Sequence, residues 1–178
     1  YGGFNKIIFK IGGGFSVQPI TIKKKTLSKL NKNLLLVYTG IRRTAHDIAR
    51  GYVNKLNKSK KSHILRISSF VEEAEKTLRK GNVSDFGNLL HESWLEKKGL
   101  SSFITNSSID EIYNNAIKKG ALGGKLLGAG GGGFFLFYVP YFRQKNFIKY
   151  FRKLITIPFK FSSEGSKILF KNIDKKIN

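Results

Sequence analysis

An α+β fold, with helices packed on a mostly antiparallel sheet, is what this sequence predicts. Three observations carry the prediction. Short β-rich runs open and close the chain, a series of amphipathic helices fills its middle, and the hydrophobic period falls from about 3.6 residues back to about 2 after Gly120.

Residues 4–11 and 15–20 are β-rich runs split by Gly12, Gly13 and Gly14, the pattern of a hairpin. Residues 34–40, "LLLVYTG", read as a third, buried strand. Residues 44–56 then place Ala45, Ile48, Ala49, Tyr52, Val53 and Leu56 at helical spacing. Residues 64–80 do the same with Ile64, Ile67, Val71, Ala74 and Leu78, and Gly81 is placed to cap that helix. Two further helices follow. Residues 84–98 are opened by Ser84 or Asp85, and residues 108–119 by Ser107 or Ser108, with Glu111 spaced for a capping box. Gly99 and Gly120 are read as their stops. Beyond them, residues 125–128 and 134–139 read as strands around a glycine loop and residues 141–154 as a helix. Residues 157–161 and 167–170 read as closing strands around a turn at 162–165. There is no internal repeat and no long linker.

Composition narrows the function classes. The 178 residues suffice for one domain with a core, or for part of a larger protein, and 40% hydrophobic content argues against disorder. No apolar run reaches the length of a membrane span. The chain has no cysteine, which excludes disulfides and thiolate metal sites. His46, His63 and His91 fall on separate predicted elements without ligand spacing. These features predict a cytoplasmic protein. Methionine is absent and the chain opens in a strand-like run, so we expect an N-terminal part to be missing. The net charge of +22 attracts polyanions, but the lysines are spread evenly and no nucleic-acid-binding motif is present, so no specific nucleic-acid partner is expected.

The stretch "GALGGKLLGAGGGGFFLFYVP" concentrates eight of the chain's 19 glycines between Gly120 and Gly133. Glycine in an ordered element costs roughly 0.5–1 kcal/mol relative to alanine, so the cluster needs a compensating reason. Either successive residues take positive φ, or something approaches the backbone more closely than a Cβ allows; phosphate is the usual visitor, and a bare tight turn is the alternative. Arg42 and Arg43, in "YTGIRRTAHDIA", put two guanidinium groups where a strand gives way to a helix. That is either an anion site or a solvated basic turn. His91 lies beside the sole tryptophan, Trp94, in "LLHESWLEKKGLSSF", and Trp94 reads more readily as helix core than as a ligand contact. No Ser-His-Asp arrangement, paired acids or GxxxxGK[ST] loop appears.

In order, "LLLVYTGIRRTAHDIA", "LLHESWLEKKGLSSFITNSSIDEIYNNAIKKGALGGKLLGAGGGGFFLFYVP" and "PFKFSSEGSKILF" resemble the C-terminal half of a GHMP kinase. Within that superfamily the likeness is to the sugar kinases that act on D-glycero-D-manno-heptose 7-phosphate. The resemblance implies that residues 1–40 are strands left from the N-terminal kinase domain and residues 41–178 the ferredoxin-like C-terminal domain. It implies phosphoryl transfer from ATP, with Mg²⁺, to a phosphorylated heptose. Gly128, Ala129, Gly130, Gly131 and Gly132 would support the nucleotide-phosphate loop, and Arg42, Arg43, His91, Trp94 and Lys97 would hold the sugar phosphate. The superfamily's "GLGSSA"-type loop and the Asp of its "DQ" segment do not occur in this sequence, so no catalytic acid or base is assigned and the chain alone is expected to be inactive. An N-terminal half or a second copy would be its protein partner. The alternative is a non-catalytic kinase-like module that binds a sugar phosphate, a nucleotide or another chain; a nucleic-acid binder rests on charge alone.

Overall fold

The computed structural model describes residues 1–42 and 60–170. The chain divides into two compact units, one of Tyr1–Thr21 with Lys160–Asn178, the other Ile22–Phe159. Arg43 and the helix expected at 44–56 lie outside the described residues, as do 171–178.

In the first unit, β1 (Asn5–Phe9) and β2 (Phe15–Pro19) form an antiparallel hairpin with Ile7 opposite Val17, as the glycine-split runs predict. The strand expected at 167–170 is not formed. Ile168, Leu169 and Phe170 are 82%, 94% and 83% exposed and lie in irregular chain, so alternating side chains alone did not supply a pairing partner.

The second unit holds a four-stranded antiparallel sheet in the order β4-β5-β3-β6, built from β3 (Leu34–Tyr38), β4 (Gly123–Leu126), β5 (Phe134–Tyr138) and β6 (Thr156–Pro158). Strand β3 pairs with β5 and β6 within this unit, setting Leu36 opposite both Leu136 and Ile157. The period-2 pattern decides which side is buried: Leu35 and Val37, Phe135 and Phe137, and Leu126 turn into the core.

Among the described residues five helices accompany the sheet. The first, α1 (Lys24–Asn33), was not anticipated, because lysine and asparagine hide a sparse apolar stripe of half-buried Leu27 and fully buried Leu30. Next come α2 (Lys61–Lys80), capped by Gly81 as predicted, and α3 (Val83–Leu100). They run antiparallel: Lys60 Nζ donates to the Gly99 carbonyl at 2.6 Å, His63 Nδ1 meets Glu96 at 2.6 Å, and Arg66 reaches Glu92 at 3.0 Å. Gly99 is therefore not a stop. It lies inside α3, where a Cβ would stand 2.8 Å from His63 ring nitrogens.

Helix α3 begins after Asn82 and not at Ser84 or Asp85. In α4 (Ser107–Lys118) the cap is Asn106, whose side-chain oxygen accepts from the Ile109 amide at 3.0 Å; this displaces Ser107 and Ser108 into the first turn and dissolves the capping box assigned to Glu111. Helix α5 (Tyr141–Tyr150) ends before the expected 154, because the chain must turn so that the Ile155 carbonyl can accept from the Tyr38 amide at 2.9 Å and lead into β6. Trp94 of α3, Tyr113 of α4 and Phe147 of α5 meet Phe135 and Phe137 in the core beneath the sheet.

Candidate functional site

The glycine loop joins β4 to β5, and its neck is closed by the Leu127 amide donating to the Phe134 carbonyl at 2.9 Å. Two other segments hold it. The Gly131 amide donates to the carbonyl of Ile104, in the chain that leaves α3, at 2.8 Å. The Gly133 amide donates to the Ile41 carbonyl, past the end of β3, at 3.0 Å, while the Gly133 carbonyl accepts from both the amide and the hydroxyl of Thr39 at 2.9 Å.

This geometry divides the run. Gly130, Gly131 and Gly132 are buried against the chain's own backbone, and a Cβ on Gly130 would meet Ile104 Cα and its carbonyl oxygen at 2.9 Å. Gly128, at φ +69°, is exposed with nothing within 4 Å of an added Cβ, and Ala129 is half-buried. The glycines thus answer first to close packing of the protein on itself. The side at Gly128 is open to an approaching group, and Gly133 likewise has nothing within 4 Å of an added Cβ.

Lys97, near the end of α3, is 9% exposed, and its Nζ donates to the carbonyls of Leu126 at 2.8 Å and Gly128 at 2.7 Å. Burial, and after it the charge of Lys125, push its proton affinity down to about 8. Lys125, on β4, donates to the buried Ser93 hydroxyl at 2.8 Å and is likewise pushed down by burial. The loop entrance is therefore backed by two lysines, whose charge suits it to an anion.

The residues assigned to the sugar phosphate are dispersed. Lys97 touches the loop itself. Arg42 is exposed and follows directly on Ile41, so its backbone is fixed at the loop's exit. His91 is half-buried, with Nδ1 2.7 Å from the Tyr113 hydroxyl. Trp94 is fully buried, edge-on to Phe135 at 5.4 Å, and so presents no face to a substrate; its place in the core follows from its position between Ser93 and Lys97 on the inward side of α3. Lys125 and Ser93 were missed, although Lys125 stands directly in "GGKLLGAGGGG" and Ser93 precedes Lys97 by one helical turn.

Among the described residues no group of three or more His, Asp or Glu side chains is placed to hold a metal ion. No helix among them is long and apolar enough to cross a membrane. Two surface clefts, of about 330 and 440 Å³, are lined by Glu73, Asp85 and Glu92 of α2 and α3 and by Lys119, Lys149 and Arg152 near α5, away from the glycine loop.

Comparison with known proteins agrees with this architecture. Residues 74–154 match the family described as GHMP kinases C terminal. Over 170 residues the chain is 33% identical to the D-glycero-alpha-D-manno-heptose 7-phosphate kinase of Campylobacter jejuni, covering 94% of this chain and 50% of that protein. The crystal structure of a D-glycero-D-manno-heptose 1-phosphate kinase from Bacteroides thetaiotaomicron superposes with a TM-score of 0.66 at 22% identity, over 94% of this chain and 46% of that one. That of Leishmania major (L. major) mevalonate kinase gives 0.70 at 19%, over 92% and 51%. The last two show the fold. The chain spans about half the length of these relatives, 46–51%. The helices on an antiparallel sheet, the glycine loop between β4 and β5, and the family match together place this chain in the GHMP kinase superfamily, as a bearer of its C-terminal domain.

Proposed function

We propose that the chain is the C-terminal portion of a cytoplasmic, ATP-dependent sugar kinase that phosphorylates a phosphorylated heptose. The observation that carries the reading is the 33% identity to a heptose 7-phosphate kinase over 94% of the chain, which spans α3, the glycine loop and Lys97 together. In the reaction a hydroxyl oxygen of the sugar forms a bond to the γ-phosphorus of ATP, the bond from that phosphorus to the β-γ bridging oxygen breaks, and ADP leaves. Such transfer depends on positioning and on offsetting charge.

This chain's residues fit a polyphosphate in one respect: Gly128 is open and the lysines behind it make the loop entrance basic. Arg42, fixed at the loop's exit, is suited to the substrate's own phosphate, as Arg43 is by sequence. Mg²⁺ would reach the site with the nucleotide, since the described residues offer no acidic cluster for it, and no step is assigned to it here. The acid or base acting on the sugar hydroxyl is proposed to come from an N-terminal half or a second copy that completes the site.

A coupled ADP-release assay tests this reading. The chain alone should show no turnover above its Gly130→Val variant. Joined to the N-terminal half of a heptose phosphate kinase, it should release ADP only when a heptose phosphate is present. Turnover by the chain alone would show the active site to be misplaced, and binding without turnover in the joined protein would favour a non-catalytic module.

A further inference from the structure

Helix α3 and strand β4 are joined by two lysines that reach in opposite directions. Lys97 donates from the helix to the Leu126 and Gly128 carbonyls, and Lys125 donates from the strand to Ser93 Oγ on the helix. Ser93 and Lys97 are four residues apart, so one face of α3 presents both contacts. Leu126 is the last residue of β4 and Gly128 the first left-handed glycine after it, so a single ammonium spans the point where the strand ends and the loop begins. Two like charges stand in this interface, and among the described residues no carboxylate is bonded to either. Placing two ammonium groups there is electrostatically unfavourable, and apolar side chains of similar size would pack the interface without that cost. The arrangement therefore answers to a need for N–H donors at defined points.

We propose that Lys97 and Lys125 are positioning residues, a reciprocal clamp that fixes the conformation of the glycine loop against α3. Lys97 sets the loop's entrance by gripping both carbonyls, and Lys125 holds β4 in register with the helix so that the grip is maintained. A chemical role for the clamp rests on the kinase reading, whereas its conformational role does not, and the test addresses the latter.

The chain has no cysteine, so a single one can be introduced and modified without interference. In Lys97→Met, which keeps the aliphatic stem and removes the donor, the amides of Gly131, Gly133 and Leu127 should exchange about tenfold faster or more, while amides in the β3–β5 ladder stay within about twofold. Aminoethylation of Lys97→Cys under denaturing conditions, followed by refolding, rebuilds the ammonium with sulfur in place of one methylene and should restore slow exchange at the loop amides. Unchanged loop exchange in Lys97→Met, or fast exchange that aminoethylation does not reverse, would overturn the clamp. Should neither variant fold, the unmodified chain decides. A persistent ¹⁵Nζ–¹H correlation for Lys97, assigned by its loss in Lys97→Arg, supports the clamp, and a side-chain ammonium in free exchange with water refutes it. None of these measurements requires turnover, so failure of the clamp and failure of the kinase reading are separable.

Discussion

The amide of Gly131 donates to the Ile104 carbonyl at 2.8 Å, and a Cβ on the adjacent Gly130 would stand 2.9 Å from that same carbonyl. The loop and the chain that leaves α3 are thus packed backbone to backbone.

This predicts unequal costs within one glycine run. Gly130→Ala combines a φ of +117°, which L residues avoid, with a clash against immobile backbone, and should lower stability by about 2–4 kcal/mol. Gly128→Ala meets open space at φ +69° and should cost about 1–2 kcal/mol. Urea unfolding followed by the fluorescence of Trp94, the sole tryptophan and 0% exposed, gives both values. Equal losses for the two variants would contradict this packing.

The lowered proton affinity of Lys97 predicts how stability responds to alkali. Its value falls from 10.5 to about 8 on folding, through burial and then Lys125. Between these values the unfolded chain holds a proton that the folded chain has released, so stability rises with pH across that window, by about 3 kcal/mol at most from this group. The neutral amine keeps two N–H groups, enough for both carbonyls, so the clamp survives deprotonation. Tyr113 acts with the opposite sign, because burial raises its hydroxyl, and above about pH 10 only the unfolded chain ionises freely. Denaturant titrations from pH 7 to 10 should show the rise in the unmodified chain and a reduced one in Lys97→Met, the difference isolating Lys97 from the general easing of positive repulsion.

Helix α4 offers a local check. Asn106→Ala should cost about 1 kcal/mol by freeing the Ile109 amide, and Ser107→Ala or Ser108→Ala only a few tenths. A larger loss at Ser108 would reinstate the capping box with Glu111.

These contrasts show what a sequence exposes. Strong periodicity made α2, α3, β3 and β5 legible, and the glycine density marked the loop. The cap at Asn106 was obscured because three adjacent residues, Asn106, Ser107 and Ser108, all make good caps and only the chain's path chooses between them. Gly99 misled because a glycine inside a helix, admitted for the approach of His63, has the same local signature as one that ends it. Lys125 was invisible as a site residue among 33 basic residues, since its distinction is a partner 32 positions away.

Arg42 carries the last prediction. Its backbone is tied to the loop through the Ile41 carbonyl and the Gly133 amide, whereas its side chain is exposed and so able to meet an anion. A charge-assisted bond to phosphate is worth about 1.5–3 kcal/mol, which corresponds to roughly tenfold to a hundredfold in affinity. In a completed enzyme, Arg42→Ala should therefore raise KM for the sugar phosphate by about that factor and leave KM for ATP within about twofold. Arg42→Lys should recover only part of the loss, because a point charge lacks the planar fork that matches phosphate. A change confined to KM for ATP would move Arg42 to the nucleotide, and unaltered kinetics in both variants would return it to the solvated basic turn.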